Sequence, residues 1–439
     1  MKIFKINSTQ VIIGSFLIAL TIGTFLLSLP ISSRKGVSTD FLTCIFTATS
    51  SLCVTGLAVV DTYSHWSFFG QLIILILIQL GGLGVIVVIS IIATFLGHRI
   101  DLKQRTTLQE ALALDNFGGM VKLILFIVNI VISFEFAGAV LLFTQFIKDF
   151  DLPTAIWFSI FHSISAFCNA GFDLMGIREN FSSLTYYDAN IVLNITIMTL
   201  IVFGGLGFSV WRDLLTHKLN ANKYRLQTKI VLIYSTYLIF IPAIYFFIFE
   251  YKNFNPTQRV LSSLFQSITT RTAGFNTQQF INMSDVGKAI SIMLMLIGGS
   301  PGSTAGGMKT TTFAVLIIST IAVYKRENEP HRFNRRITIQ IIKNAITVFV
   351  MYVTIFLLSG FTICMIENTK LENALFEVAS AIGTVGLTLN FTTTLSNASR
   401  VIIIILMFLG RVGGLTFIYS VLPSLNKEHG FIAENIAIG

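Results

Sequence analysis

Ser51-Leu52-Cys53-Val54-Thr55-Gly56-Leu57 and Ser165-Ala166-Phe167-Cys168-Asn169-Ala170-Gly171-Phe172 close one short pattern on a glycine. Thr269-Thr270-Arg271-Thr272-Ala273-Gly274-Phe275 and Ser380-Ala381-Ile382-Gly383-Thr384-Val385-Gly386-Leu387 close it again. Gly56, Gly171, Gly274 and Gly386 stand at similar intervals, each between apolar runs of helical length. One tight glycine loop would decide little. Four in matching context point to a single chain folded around a central path.

The composition agrees. The chain has 439 residues, of which 54% are hydrophobic and 12% charged, and its mean hydropathy is +0.78. That excludes an ordinary soluble domain and implies recurrent membrane spans. Val11 to Pro30 is long enough to span and lacks a cleavage pattern, so it reads as a helix and not a leader. The four cysteines, Cys44, Cys53, Cys168 and Cys364, have no metal-ligand spacing and read as small packing residues. The net charge of +9 sits in short loops between apolar runs, so it is a topology signal rather than a nucleic-acid surface. Lys2, Lys5, Lys427 and the stretches 99–122, 212–229 and 325–343 hold 18 Lys and Arg, against nine in the alternate loops. The basic set should be cytoplasmic, with both termini inside and an even number of spans.

Each quarter of the chain repeats one order: a leading helix, a short half-helix, the glycine loop and a closing helix. The leading helices are expected at 10–30, 121–147, 228–250 and 337–366. The closing helices are expected at 68–97, 189–213, 286–324 and 400–424. The half-helices, 39–53, 152–168, 257–271 and 371–383, are too short and polar to span and read as re-entrant, which membranes tolerate only where protein or water covers the backbone. Asp40, Asp151 before Pro153, and Asn255 before Pro256 read as their N-caps. Each half-helix then points its negative C-terminal end into the membrane, which favours a cation.

The closing helices carry small-residue clusters: Gly81-Gly82-Leu83-Gly84, Gly204-Gly205-Leu206-Gly207, Gly298-Gly299-Ser300-Pro301-Gly302 and Gly410-Arg411-Val412-Gly413-Gly414. The first two read as close helix packing. The third runs on through Ser303, Thr304, Ala305, Gly306 and Gly307, with too many breakers for a helix. The stretch 298–307 is therefore expected to be a broken segment lining a water path, a candidate gate beneath the glycine loops.

The chemistry of the loops suits a cation. Carbonyl rings replace the hydration shell of an ion without fixed charge, and glycine lets the backbone aim them. The candidate filter is Val54-Thr55-Gly56-Leu57, Asn169-Ala170-Gly171-Phe172, Thr272-Ala273-Gly274-Phe275 and Thr384-Val385-Gly386-Leu387. All are neutral, which favours a weakly hydrated monovalent ion such as K+ over a divalent one. Ionisable residues at membrane depth are suspects by default. Arg411 would oppose cation flow below the filter and lie within reach of the 298–307 loop. Lys309, at the end of that loop, reads equally as a snorkelling side chain. Arg271 and Glu377 read as a buried pair bracing neighbouring loops. Glu135 needs a partner that the sequence does not name, and His162 reads as packed or hydrogen-bonded rather than as a ligand.

These loops resemble the Trk/Ktr/HKT superfamily of potassium transporters, over nearly the whole chain and most closely the bacterial Ktr membrane subunits. The resemblance implies an all-α integral membrane fold. In it, eight transmembrane helices and four re-entrant pore half-helices form four helix–pore–helix repeats around a pseudo-fourfold central pore. The repeats would be 1–98, 99–216, 217–326 with the broken inner helix, and 327–439 with the C-terminal tail. In that family glycine at all four loops goes with potassium preference and serine at the first with sodium, and a basic residue in the fourth inner helix has a gating role, here Arg411. Only Thr384-Val385-Gly386 is close to the Thr-Val-Gly of potassium channels.

The resemblance also implies a homodimer in the bacterial cytoplasmic membrane, seated on a cytoplasmic RCK-type nucleotide-binding ring that sets the gate. K+ would be the transported ion and Na+ a candidate activator, with no organic cofactor and no nucleic acid. No Gly-rich βαβ fingerprint occurs here, so the regulator would be a separate chain, with the basic stretches 212–229 and 325–343 as docking candidates. A sodium or mixed transporter on the same scaffold is the alternative. An integral-membrane enzyme lacks any converging carboxylate pair, His cluster or Ser/His arrangement. A receptor or scaffold would have no use for four buried loops. The apolar end, Ile436-Ala437-Ile438-Gly439, is expected at a subunit interface.

Overall fold

The computed structural model describes residues 8–95, 106–109, 120–218, 220–327 and 329–414. The basic stretch 99–105, the apolar end at 436–439 and Lys427 lie outside the described residues. Four long apolar helices lead the four quarters: Ser8–Ser28, Met120–Phe146, Leu226–Tyr245 and Ile339–Glu367. The third continues as a π-turn over Phe246–Glu250, just beyond Pro242, whose ring and missing N–H disturb the helical ladder. Exposed Leu17, Ile18, Ile22 and Phe25 on the first, and Phe136 on the second, turn apolar side chains outward. In water such faces would be costly. In lipid they are at home.

The half-helices follow at Phe41–Leu52, Leu152–Phe167, Pro256–Thr269 and Leu371–Gly383. They form the centre of the core. Phe46, Phe158, Phe161, Phe167, Phe265 and Phe376 are all fully buried along them. Asp40 caps the first, accepting the Thr43 N–H at 3.3 Å. Asp151 and Asn255 make no such bond; the second and third half-helices start instead on proline in the first turn, which needs no partner for its missing N–H.

The closing helices start on caps that the sequence reading did not single out. Ser67, Asn190, Ser284 and Ser396 each accept a backbone N–H from their own first turn. The first three do not run through as unbroken helices, and the fourth, Asn397–Val412, reaches Gly413, with the rest of its expected range, 415–424, outside the described residues. Phe68–Leu83 meets Val85–Phe95 at Gly84 with a 95° bend, and Ile191–Gly205 meets Phe208–His217 across Gly207 with a 96° bend. Gly84, Gly207 and Gly413 sit at φ of 87°, 90° and 88°, a backbone region that costs any side chain. The third closing helix stops at Leu296, and the chain returns to helix only at Thr310–Tyr324. The first two glycine clusters are therefore corrected: they pack closely, as expected, and they also turn the chain.

Among the described residues, four helices are long and apolar enough to cross a membrane, or six if each bent pair counts as one span. The remaining two closing segments are the interrupted third and Asn397–Val412. Between the third and fourth quarters a small hairpin pairs His331–Arg332 with Arg335–Arg336.

Candidate functional site

The four glycine loops meet. A Cβ on Gly56 would stand 2.5 Å from the Ala170 carbonyl oxygen, one on Gly171 2.7 Å from that of Ala273, and one on Gly274 2.5 Å from that of Val385. On Gly386 it would overlap the carbonyl oxygen of Thr55. Each glycine thus lies under the carbonyl that precedes the next glycine, and the fourth returns to the first. The contact closes a ring in the order one, two, three, four. No residue with a side chain would fit at any of the four places without moving its neighbour.

The backbone of the ring alternates. Val54, Asn169, Thr272 and Thr384 lie at φ of 56°, 61°, 64° and 51°, and Gly56, Gly171, Gly274 and Gly386 at 92°, 69°, 83° and 91°. Two positive-φ residues around an ordinary one turn successive carbonyls to the same side. The N–H groups are spent on the half-helices: Thr55, Ala170 and Val385 donate to Ser50, Ser165 and Ser380 carbonyls at 2.8 Å each, and Ala273 to Thr269 at 3.0 Å. Gly56 and Gly386 N–H groups donate to the hydroxyls of Ser50 and Ser380, at 3.1 and 3.0 Å. Ser165 and Thr269 hydroxyls instead donate to the Phe172 and Phe275 carbonyls.

Among the described residues, no group donates to the carbonyls of Val54, Thr55, Gly56, Asn169, Ala170, Gly171, Thr272, Ala273, Gly274, Thr384, Val385 or Gly386. Buried carbonyls without a donor are rare and costly. A ring of them around one axis is what a dehydrated cation needs.

All four ring glycines line one cavity of about 310 Å³, whose walls include Asp61, Asp173, Glu179, Thr388 and Thr392. The acidic residues favour cations at this mouth. Sequence reading passed over them because Asp61 and Asp173 are separated by more than a hundred positions and belong to no motif. Asp61 also has structural duties, accepting from the N–H groups of Ser64 at 2.8 Å and Phe181 at 3.0 Å.

On the opposite side of the ring lies the 298–307 segment. A Cβ on Gly306 would overlap the Thr384 hydroxyl. Gly307 N–H donates to Gly410 O at 3.1 Å, Ser300 N–H to Gly205 O at 3.0 Å, and the Thr304 hydroxyl to Phe167 O at 3.1 Å. Gly302 returns its carbonyl to the Phe208 N–H at 2.8 Å. The loop therefore crosses beneath the ring and touches the second and fourth quarters. Gly298 and Gly299 make the turn into it, with Gly306 O against the first and the Ala305 methyl against the second. Ser303 ties the loop internally, donating to Ser300 O at 2.7 Å.

Arg411 donates to the carbonyls of Thr304, Gly81 and Gly82, joining the fourth closing helix to the loop and to the bend of the first quarter. Lys309 folds back on the loop instead of snorkelling away, donating to Ala305 O at 2.7 Å.

The expected Arg271–Glu377 pair does not form. Arg271 donates to Thr310 Oγ1 at 3.0 Å and to Ser235, while Glu377 accepts the hydroxyls of Thr388 at 2.8 Å and Thr392 at 2.5 Å. Each side chain finds neutral partners inside its own quarter, so neither reaches across. Glu135 meets Gln79 of the first closing helix, Oε2 to Nε2 3.3 Å. His162 is buried and hydrogen-bonded, as expected, to Phe158 O at 2.7 Å and to the Leu174 N–H at 3.3 Å.

Comparison with known proteins follows the same line. The TrkH family, described as a cation transport protein, matches residues 4–429. The chain is 37% identical to the potassium/sodium uptake protein NtpJ of Enterococcus hirae, over 99% of this chain and 98% of that protein. It is 37% identical to the Ktr system potassium uptake protein B of Bacillus subtilis, over 95% and 94%. To the protein of that name from Vibrio alginolyticus it is 33% identical, over 94% and 91%. The crystal structure of the potassium transporter TrkH from Vibrio parahaemolyticus superposes with a TM-score of 0.74 over 97% of this chain and 88% of that one, at 18% identity, a likeness of fold. The chain belongs to the TrkH family of cation transport proteins, which are transporters and not enzymes.

Proposed function

We propose that this chain conducts K+ into the cell through the axis of the four-loop ring, as the pore-forming subunit of a two-component uptake system. The observation that carries the proposal is the closed ring of backbone carbonyls to which no group donates among the described residues. The C-terminal ends of all four half-helices lead directly into it, so their partial negative charges add to the carbonyl field. The names of the relatives, potassium uptake proteins of Ktr systems, support the choice of ion.

On this reading the filter is 54–57, 169–172, 272–275 and 384–387. The chain crosses the bacterial cytoplasmic membrane eight times in repeats of 1–98, 99–216, 217–326 and 327–439, with four re-entrant half-helices and both termini in the cytoplasm. The ion enters from the acidic vestibule, sheds water at the carbonyls, and is drawn inward by the membrane potential. Gly298, Gly299, Ser300, Gly302, Ser303, Thr304, Gly306 and Gly307, held by Arg411, form the gate. It opens when the loop leaves the ring, and the Arg411 bonds to Thr304, Gly81 and Gly82 bias it shut. A homodimer on a cytoplasmic RCK-type nucleotide-binding ring is part of this reading, supported by the naming of the relatives as proteins of Ktr systems.

A second reading, a Na+ or mixed Na+/K+ transporter, is favoured by one observation: the Enterococcus relative is named for both ions. Reconstituted protein under bi-ionic K+/Na+ conditions separates the two. Flux strongly preferring K+ supports the first, equal flux the second, and no flux with the 298–307 loop shortened would reject a pore along this axis.

A further inference from the structure

Nine residues before each ring glycine, the half-helices place Thr47, His162, Phe265 and Glu377. The four positions are equivalent, yet their contacts differ by quarter. All four residues are buried. His162 accepts the N–H of Leu174, three residues beyond Gly171, at its Nε2, while its Nδ1 donates to Phe158 O at 2.7 Å. Glu377 accepts the hydroxyl of Thr388, two residues beyond Gly386, and that of Thr392. The Thr388 oxygen in turn accepts the N–H groups of Phe391 at 3.0 Å and Thr392 at 3.3 Å. One carboxyl thereby holds the whole turn that leaves the fourth loop, and that turn forms part of the vestibule wall. In the first quarter the Thr47 hydroxyl has no partner among the described residues. In the third Phe265 offers no hydrogen bond, and the loop exit is held from the second quarter instead, Asn276 O accepting the Leu184 N–H at 3.0 Å and the Asn276 N–H donating to Ser183 Oγ at 3.3 Å. Glu377 is matched by no cation among the described residues, so stabilising a helix by an ion pair does not explain it.

The ring order makes quarters two and four opposite, not adjacent. We propose that His162 and Glu377 are positioning residues that clasp the outer ends of the second and fourth loops. The cation ring is then clasped from these half-helix positions along one diagonal and not along the other. Carbonyl rings discriminate between ions by how far they resist closing on the smaller one. The clasped diagonal therefore supplies the resistance, and K+ over Na+ preference depends on these two side chains although neither touches the ion. The inference rests on the pore reading given above.

The test is K+ and Na+ flux through full-length reconstituted protein, read as a ratio. Glu377→Ala and His162→Leu should each lower the K+/Na+ ratio by about tenfold, the scale of one buried hydrogen bond to a charged or tightly held group. Glu377→Gln keeps one acceptor and His162→Gln places an oxygen near the lost Nε2, so both should recover part of the ratio. Thr47→Val removes an unpartnered hydroxyl and should leave the ratio as it is. Lower flux of both ions at an unchanged ratio would make the two residues merely structural and overturn the proposal, as would an equal loss in Thr47→Val. Should Glu377→Ala fail to assemble, Glu377→Gln decides: a wild-type ratio overturns the clasp. No flux in the wild type with a shortened loop would instead remove the pore reading itself.

Discussion

Ala170 points its carbonyl oxygen into the space that Gly56 leaves by lacking a side chain, 2.5 Å from where a Cβ would stand. The same relation links each loop to the next and closes on itself. A soluble core would fill such a centre with side chains. Here backbone meets backbone, and among the described residues no group donates to the ring carbonyls. The four glycines are needed twice: for φ values of 69° to 92° and for the approach of the neighbouring loop.

Arg411 ties the proposed gate to the first quarter, donating to the carbonyls of Thr304, Gly81 and Gly82. Arg411→Ala removes three carbonyl contacts and should raise K+ flux about tenfold or more, since a charge-assisted hydrogen bond contributes about 1.5–3 kcal/mol. Arg411→Lys should fall between, because an ammonium does not span the three acceptors as a planar guanidinium does. Flux assays on proteoliposomes of equal protein content check this. Unchanged flux in Arg411→Ala would reassign the residue to holding the fold.

Partial deletion within 298–307 is a separate test of the same region. The loop lies against Thr384, Phe167 and Gly410. Shortening it should raise flux and make it independent of any cytoplasmic partner. A well-assembled deletion with equal or lower flux would contradict the gate.

The first glycine of three closing-helix clusters should tolerate no side chain. Gly81, Gly204 and Gly410 press on the Leu52, Phe167 and Ile382 carbonyls at the ends of their half-helices. Gly81→Ala or Gly204→Ala should cost about 1–3 kcal/mol, the usual scale of overpacking. Gly14, which has open space around it, is the control. Thermal unfolding in detergent would register the difference, and equal melting of Gly204→Ala and Gly14→Ala would refute the packing.

Arg271 and Glu377 should behave as strangers. Each has its own neutral partners, so the coupling energy of an Arg271→Gln/Glu377→Gln cycle should stay within about 0.5 kcal/mol. A coupling of several times that size would restore the ion pair that the sequence suggested.

Much of this was legible beforehand because it follows from repetition. The half-helix bounds predicted from polarity and length fall within two residues of those observed, at 41–52 for the first and 371–383 for the fourth. The loop residues share one pattern and converge, and Arg411 lies against the 298–307 loop. The failures have one physical source. Apolar periodicity does not reveal a bend made by a single positive-φ glycine, so Gly84 and Gly207 read as packing alone. Nor does a list of charges reveal which hydroxyls are near, so Glu377 was assigned an arginine when Thr388 and Thr392 were available. The bends and the threonine clasp are set by tertiary position, which no local pattern encodes.

The central claim is that the glycine ring selects the ion. The most direct measurement is K+ and Na+ uptake by purified protein in liposomes, with and without Gly56→Ser, in a background whose 298–307 loop is shortened to keep the path open. The account predicts K+-preferring uptake in the parent. It predicts a much lower preference in Gly56→Ser, whose side chain would collide with the Ala170 carbonyl and is strained at φ 92°. Equal K+/Na+ ratios in the two proteins would contradict it, because the ring would then not be where the ions are told apart.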